Sequence, residues 1–229
     1  MTMVNQDTKT SRALQSLEDS RSSVRLRAAL AVGTAPDPRY AGKLIERCAV
    51  EPDFSVREML TWALLRHAAS GTAPELIPGL LKEVHSERPQ ARSQALHTLS
   101  KIGDRQAWSV ITPELLTDAD DEVARSAWRA AVVLVPEGEE RDLAVALSYQ
   151  LGRGGRELQL SLSRALIALG EVMVPTLRAA TANPDPRVRT HALATQRLLR
   201  DPDAGFECAI EEAKRVVALG PNDPGEGQC

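Results

Sequence analysis

Basic and aromatic side chains that recur at a regular spacing are the residues of this 229-residue sequence best suited to binding chemistry. Trp62, His97, Arg129 and Arg164 follow one another at intervals of 35, 32 and 35 residues. Tryptophan and arginine are favoured anchors of protein interfaces, and cationic side chains attract anionic groups. We therefore interpret this row as part of a surface that holds an anionic partner by charge and contact area, without making or breaking bonds.

Patterns for bond-making chemistry are absent from the sequence. The four histidines, His67, His85, His97 and His191, fall in different segments without metal-ligand spacing, and no HExxH motif occurs. No nucleophile, base and acid assemble from local motifs. The sequence therefore predicts no catalytic residue, no metal site and no cofactor, and a protein that is not an enzyme.

The glycine-rich segment LGRGGREL at residues 151–158 is a possible anion-binding loop. Arg153, Gly154, Gly155 and Arg156 could present backbone N–H groups and two guanidinium groups at the start of a helix. It is not a P-loop, because no Gly-Lys-Ser/Thr follows. The alternative interpretation is a tight turn between helices that binds no ligand.

A repeat of about 33 residues positions these side chains. Six segments align without gaps, and their leading apolar residues stand 32, 35, 32, 35 and 30 residues apart. From each leading residue, small or apolar side chains recur at offsets of 4, 7 or 8, and 11, which is one stripe of an α-helix. The leading residues are Val24, Val56, Ala91, Val123, Leu158 and Val188. Each segment is predicted to form a helix, called here the B helix of its repeat.

A second apolar helical pattern, the A helix, lies between successive B helices, and prolines and glycines separate the two. One helix pair cannot bury its apolar face alone, whereas a stack of pairs can. The sequence therefore predicts an all-α fold, a right-handed α-solenoid of about six helix-turn-helix repeats forming one domain over residues 1–219. The predicted B helices are near 24–35, 56–68, 91–102, 123–135, 158–169 and 188–200, with a closing helix at 204–219 and a flexible tail at 220–229.

The pattern Asp-x-x-Val-Arg opens several B helices. It occurs as DFSVREML in the second repeat, DPRVRTHA in the sixth and, in degraded form, DDEVARSA in the fourth. An acid at this position can cap the helix. The pattern resembles the short bacterial HEAT-like repeat, also found in bilin lyases of phycobilisome assembly. This resemblance covers about residues 8–219 and implies a HEAT-like solenoid, and the whole chain is also similar to HEAT-repeat proteins of actinobacteria.

In HEAT-like stacks the Asp and Arg of this motif often form a ladder between neighbouring repeats, and the resemblance implies such a ladder here. Ala124 and Gln159 interrupt it in the fourth and fifth repeats. Contact with a ligand is the alternative role for the arginines. The implied ladder residues are Arg25, Arg57, Arg92 and Arg189, with Asp53, Asp120 and Asp185.

The net charge of −3 conceals a separation of charge along the chain. The B helices contain twelve basic residues and one acid, Glu58, so they carry +11 and the rest of the chain carries −14. In a right-handed solenoid of helix pairs the B helices line the concave surface, which is therefore predicted to be a basic groove. The predicted groove residues are Trp62, Arg66, His97, Lys101, Arg125, Arg129, Arg164, His191 and Arg197.

A non-catalytic scaffold that engages an acidic protein, peptide or other anionic partner is the leading hypothesis. Charges that serve only solvation are one alternative, and a small-molecule sensor linked to regulation, with Trp62 against the ligand, is another. A HEAT-like enzyme, either a bilin lyase or an alkylpurine DNA glycosylase, is the third. A glycosylase needs an Asp one helical turn from a groove tryptophan, but Arg66 follows Trp62. Nucleic acid is therefore a less favoured partner than protein.

Composition indicates a cytoplasmic protein. Three cysteines without a CxxC pair favour a reducing compartment, and no apolar run approaches the roughly 18 residues of a membrane helix. Cys48 and Cys208 are predicted to be buried as small apolar residues. Trp108 and Trp128 are predicted to pack between helices, and Phe54 to act as a hydrophobic staple.

Overall fold

A computed structural model describes residues 11–219 of the chain. Within that range all regular structure is helical and no strand occurs, which confirms the all-α, solenoid-type helical-repeat fold class. The predicted tail at 220–229 lies outside the described residues. Right-handedness stays a prediction.

Residues 11–16 are helical, and the complete helices that follow are numbered here in chain order. The α-helices are α1 Ser22–Thr34, α2 Ala41–Val50, α3 Phe54–His67, α4 Ala73–Glu83, α5 Pro89–Ile102, α6 Pro113–Leu116, α7 Asp121–Leu134, α8 Glu140–Ser148, α9 Arg156–Ala168, α10 Val174–Ala180, α11 Pro186–Arg200 and α12 Phe206–Leu219. Short 3-10 helices occupy Pro38–Tyr40, Arg105–Val110, Gly170–Met173 and Pro202–Ala204, and a π turn occupies Ala68–Thr72.

The chain divides into two compact units, unit 1 up to Leu134 and unit 2 from Val135. We describe each unit by itself. The single domain over 1–219 expected from the repeat stays a prediction.

Unit 1 has two layers of helices. The B helices α1, α3, α5 and α7 pack side by side in chain order, and the A helices α2 and α4 pack against them. The next A segment is broken into Arg105–Val110 and α6, because Pro113 disfavours a helical conformation at Thr112, which is extended. Trp128 is fully buried and its Nε1–H donates to the Leu116 carbonyl at 2.8 Å, which confirms its packing role. Trp108 is half-buried.

Unit 2 contains α8 to α12. Helix α9 contacts α8 and α11, α10 packs on α11, and the closing helix α12 covers the other side of α11. The core between α11 and α12 is formed by Ala194, Leu198, Phe206, Ala209, Ile210 and Ala213. The closing helix therefore buries the last apolar edge of this unit.

Each B helix begins two residues before its leading apolar residue, because the N-cap stands three residues before it. Asp53 accepts a hydrogen bond from the Val56 N–H, and Asp120 accepts from the N–H groups of Glu122 and Val123. Asp185 accepts from the N–H of Arg187 in the same way. These aspartates satisfy N–H groups that the first helical turn leaves without partners.

Candidate partner-binding surface

The four arginines of the predicted ladder make the same local contact. Each stands directly after its leading apolar residue, and its Nη1 donates to the backbone carbonyls five and six residues earlier in the chain. For Arg25 these distances are 2.9 and 2.8 Å, and for Arg189 they are 2.8 and 2.7 Å. Arg57 and Arg92 repeat the pattern at 2.9 to 3.2 Å. The guanidinium therefore holds the turn that leads into its own B helix.

Two of the four arginines, Arg25 and Arg92, also pair with an acid of the next repeat, and these acids are Glu51 and Asp118. No ion pair of Arg57 or Arg189 with a neighbouring repeat is found among the described residues, so their ladder role stays a prediction. Arg25 donates to both carboxylate oxygens of Glu51 at 2.6 and 2.7 Å, and Arg92 contacts Asp118 at 3.0 to 3.2 Å. Both acids stand five residues before a leading residue. The expectation that the N-cap aspartates serve as the ladder acids is wrong, because their carboxylates face the start of their own helices. The N-cap aspartates concerned are Asp53, Asp120 and Asp185.

The Arg25–Glu51 ion pair is buried. Glu51 has no exposed surface, and it also accepts from Arg47 and from the backbone N–H of Asp53. Burial alone would raise the pKa of Glu51, but Arg25, the N–H of Asp53 and Arg47 lower this pKa to about 2. The stability that ionised Glu51 provides is therefore present above about pH 4.5 and is lost as the pH falls towards 2. Its burial assigns this pair to the framework and leaves no access for a ligand.

The fifth repeat replaces the ladder arginine without losing the turn contact. Gln159 Nε2 donates to the Gly154 carbonyl at 3.1 Å, which is the carbonyl five residues earlier. Gln159 therefore preserves the local half of the arginine contact. The methyl group of Ala124 in the fourth repeat can donate no such bond.

An exposed face of unit 1 contains most of the predicted groove residues. It comprises the positions 2, 6 and 10 residues after the leading residue on α1, α3, α5 and α7, and we call it the B face; Ser93, at one of these positions, is buried against Ser126. Its members that bear on binding are Leu26, Leu30, Glu58, Trp62, Arg66, His97, Lys101, Arg125, Arg129 and Val133. Glu58 is the one acid at these positions. Arg66, Lys101 and Arg129 are exposed, which gives the face a positive charge.

Charged groups from three helices of the B face surround His97. Its Nε2 lies 3.9 Å from Glu58 Oε1 on α3 and has no hydrogen-bond partner among the described residues. Burial lowers the pKa of His97, Glu58 opposes this shift, and Lys101 and Arg129 add to it. These interactions place Glu58, Lys101 and Arg129 near one imidazole, and the grouping of Trp62, Arg66 and Arg125 with them in one groove stays a prediction.

Trp62 contributes packing as well as surface. It is half-buried, and its six-membered ring lies against Gly33 of α1, where a Cβ would overlap Cζ3 and Cε3. The absence of a side chain at Gly33 therefore allows α1 and α3 to approach. A tryptophan held in this way does not favour a role in enclosing a small molecule. Arg125 is partly neutralised, because it pairs with Glu122 one turn earlier on α7.

In unit 2 the structure contradicts the placement of His191 in an open groove. His191 is 1% exposed, and burial lowers its pKa to about 4. Its Nδ1 accepts from the N–H of Gly152 at 3.0 Å, and its Nε2 lies 3.0 Å from both Ser163 Oγ and the Gln159 carbonyl. The helical angle of His191 predicts a position at the edge of the groove, but this angle alone does not reveal that the turn at Gly152 contacts the imidazole. Stability falls as the pH drops from 6.5 towards 4, because the unfolded imidazole takes up a proton first.

The buried contact between Ser163 and His191 is not a catalytic pair. Because Nδ1 accepts a hydrogen bond, the proton of the neutral imidazole is on Nε2, which then donates towards Gln159 and Ser163. A protonated Nε2 cannot remove the hydroxyl proton of Ser163. Ser163 is fully buried and also bonded to Thr195 at 2.8 Å.

Arg197 lies at the edge of the closing helix α12, with 42% of its side chain exposed. It forms an ion pair with Glu212 of that helix, and the nearby Ala194 is buried beneath it. Helix α12 therefore covers part of the face of α11 that helical periodicity predicts for the groove, and the groove role of Arg197 stays a prediction. Arg164 on α9 is exposed, as the sequence predicts for a surface position.

The segment 151–158 is occupied by contacts within unit 2. The N–H of Gly152 is committed to His191, and Arg153 Nη1 donates to Gln150 Oε1 at 3.1 Å. Arg156 pairs with Glu207 and Glu211 of α12. Two carboxylates beside Arg156 oppose the binding of an anion, so these contacts favour the interpretation of Arg153, Gly154, Gly155 and Arg156 as a tight turn, and the anion-binding loop stays a prediction.

Cysteine and phenylalanine positions correct two further expectations. Cys48 is buried as predicted, and burial raises the pKa of its thiol to about 12. Cys208 is exposed, because it lies on the outer side of α12. Phe54 is also exposed, with the Arg57 guanidinium carbon 5.7 Å from its ring centre, so it does not act as a buried staple.

The possible metal ligands of residues 11–219 do not form clusters. No group of three or more His, Cys, Asp or Glu side chains in that range could hold a metal ion. No single helix there has the length and apolar character to cross a membrane. Sufficient length and apolar character are found there only when two helical segments are taken together, Arg156–Ala168 and Gly170–Ala180. The chain bends by 119° between these two segments.

Comparison with known proteins identifies the fold and no family. No protein-family model and no curated protein matches the sequence. Two structures of the karyopherin Kap121p, one bound to the extreme C-terminus of the protein phosphatase Cdc14p and one bound to Nup53p, each match 90% of this chain with TM-score 0.58 and 19% identity. A chain in the structure of the complex of CpcE and CpcF of phycocyanin lyase from Nostoc sp. PCC7120 also matches. This match covers 88% of the present chain and 85% of the matched chain, with TM-score 0.48 and 18% identity.

The match to the karyopherin covers 25% of that protein, so this chain spans about a quarter of its length. At this level of identity the similarity is one of fold. The chain is therefore a HEAT-like helical-repeat protein by structure.

Proposed function

We propose that this protein is a non-catalytic binding scaffold that engages an acidic segment of a protein partner on the B face of unit 1. One observation carries the proposal: Lys101 on α5 and Arg129 on α7 are exposed cations that both act on His97, and Glu58 is the one acid at the B-face positions. A surface of one sign raises the local concentration of partners of the other sign. Arg66, Lys101 and Arg129 supply that sign here.

The charge distribution along the chain supports this choice of partner. Outside the B helices the chain carries −14, so an acidic segment is repelled from most of the molecule and attracted to the B helices. Among proteins of similar fold, Kap121p is bound to a segment of another protein, the extreme C-terminus of a phosphatase. Helical-repeat proteins bind through extended surfaces of this kind by contact area.

Charge reversal at two exposed positions of the B face tests the proposal. The probe is a fluorescein-labelled oligoglutamate peptide of about ten residues, which is long enough to span the face when extended. Replacing Lys101→Glu and Arg129→Glu together should weaken binding at least about tenfold, and binding by the unmodified protein should fall as salt rises. Fluorescence anisotropy provides the affinity.

Lys82→Glu is the matched control, since Lys82 is an exposed lysine on the A helix α4 of the same unit. This variant should bind the peptide within about twofold of the unmodified protein. Equal affinity of all three proteins would remove the B face from consideration. Tighter binding of duplex DNA than of the peptide, with a steep salt dependence, would instead favour a nucleic-acid partner.

A further inference from the structure

The central row of the B face changes from apolar to basic along the stack. Six residues after each leading position stand Leu30 on α1, Trp62 on α3, His97 on α5 and Arg129 on α7. Leu30 is 45% exposed, which is high for a leucine within a helix of a packed layer. At the B-face positions α1 contributes no charged side chain, because Leu26 and Thr34 flank Leu30.

We propose that the B face selects a bipartite segment, with a bulky apolar side chain at one end and acidic side chains at the other. This proposal rests on the proposed function and specifies the partner. The apolar end would lie on Leu30 and the exposed part of Trp62, and the acids would lie at Lys101 and Arg129. Burial of an apolar side chain on Leu30 removes from water a surface that the fold leaves exposed.

Helix geometry fixes the spacing within the bound segment. Packed helices lie about 8–10 Å apart, so the two steps from α1 to Lys101 on α5 span about 16–20 Å and the three steps to Arg129 on α7 about 24–30 Å. An extended chain advances about 3.3 Å per residue. The acids of the partner should therefore lie about five to nine residues from its apolar side chain. A purely acidic segment leaves Leu30 exposed, and a purely apolar segment gains no electrostatic attraction from Lys101 and Arg129.

Val133 marks a second apolar position, one turn after Arg129 on α7, and it is 49% exposed. It lies beyond the central row, beside the cations. Because Val133 lies beside the cations and not at the far end of the row, the proposal assigns the apolar side chain of the partner to Leu30. Substitution at Leu30 and, separately, at Val133 tests this assignment.

Two peptides of identical composition test the selection. In the block peptide, of about twelve residues, leucine and phenylalanine occupy one end and glutamates the other, made in both chain directions. In the alternating peptide the same residues are interspersed. We expect one block peptide to bind at least about fivefold more tightly than the alternating peptide. Leu30→Ser should remove this preference, whereas Val50→Ser and Val133→Ser should preserve it.

Val50 is the matched control, because it is also 45% exposed and lies in the same unit on α2. Equal binding of block and alternating peptides, with charge reversal still weakening both, would overturn the bipartite preference and leave the proposed function standing. Loss of the preference in Val133→Ser in place of Leu30→Ser would also overturn it. Loss of charge dependence itself would overturn the proposed function.

A second copy of the chain is the other occupant that an exposed leucine could attract. Sedimentation equilibrium of the unmodified protein and of Leu30→Ser distinguishes the two cases. A monomer at all concentrations used for peptide binding supports the bipartite segment. A dimer that Leu30→Ser dissociates would overturn the proposal in favour of self-association.

Discussion

The carboxylate of Glu51 accepts hydrogen bonds from Arg25, Arg47 and the backbone N–H of Asp53. Replacing Glu51→Gln should lower the free energy of unfolding by about 3 kcal/mol, because it leaves the buried Arg25 guanidinium without its anion. Urea unfolding at neutral pH measures this loss. The double replacement Arg25→Met with Glu51→Leu should recover most of the stability, since it removes both buried charges. A double variant as unstable as Glu51→Gln would contradict this account.

The ladder acids could not be assigned from the sequence, although a signal for them exists. In five repeats the residue five positions before the leading residue has a side-chain oxygen, and this oxygen accepts a hydrogen bond from the backbone N–H two residues later. These residues are Asp19, Glu51, Ser86, Asp118 and Asn183. Asp53 and Glu51 are both acids beside one helix start, and the helical pattern does not determine which of them faces the arginine of the neighbouring repeat.

The approach of α1 to α3 depends on the missing side chain at Gly33. Gly33→Ala should lower the free energy of unfolding by about 1–3 kcal/mol, because a Cβ there would overlap the Trp62 ring. Thermal or urea unfolding provides the measurement. Gly42→Ala is the control: Gly42 lies within α2 with open space around it, so this replacement should leave stability unchanged or raise it by about 0.5 kcal/mol. Equal losses in both variants would refute a specific clash with Trp62.

At the scale of helices, apolar periodicity predicted the B helices within about two residues at each end. It could not predict which polar side chains would be buried. His191 follows its leading residue by three positions, at the side of the helix, and the turn around Gly152 decides its burial. Periodicity could also not predict the ion pair of Arg197 with Glu212, because the position of α12 over α11 depends on the connection at Pro202–Ala204.

The two compact units should respond separately to the loss of a core side chain. Phe206→Ala removes the ring that contacts His191 edge-on, with 6.0 Å between ring centres, and should cost unit 2 about 3 kcal/mol. Amide hydrogen exchange followed by mass spectrometry should then accelerate in peptides from 135–219 and not in those from 11–134. Phe54→Ala, at the exposed phenylalanine, should change neither. Uniform acceleration along the chain would mean that both units open together.

The division after Leu134 could not be anticipated from the repeat, because the interval from Val123 to Leu158 equals that from Val56 to Ala91. Apolar periodicity predicts that each repeat can stack on the next. It does not predict how extensively two neighbouring repeats pack against each other. The all-α fold class was therefore predictable from the sequence, whereas the compact units had to be observed.

The burial of Cys48 has a kinetic consequence for unit 1. Its thiol stays protonated and contacts Gln94 of α5 at 3.7 Å, so an alkylating reagent can reach it only when α2 separates from α5. Cys208 is exposed and reacts without any such opening. Of the two cysteines in the described residues, Cys48 should therefore be alkylated slowly and Cys208 fast, and the ratio of these two rates reports how often α2 separates from α5.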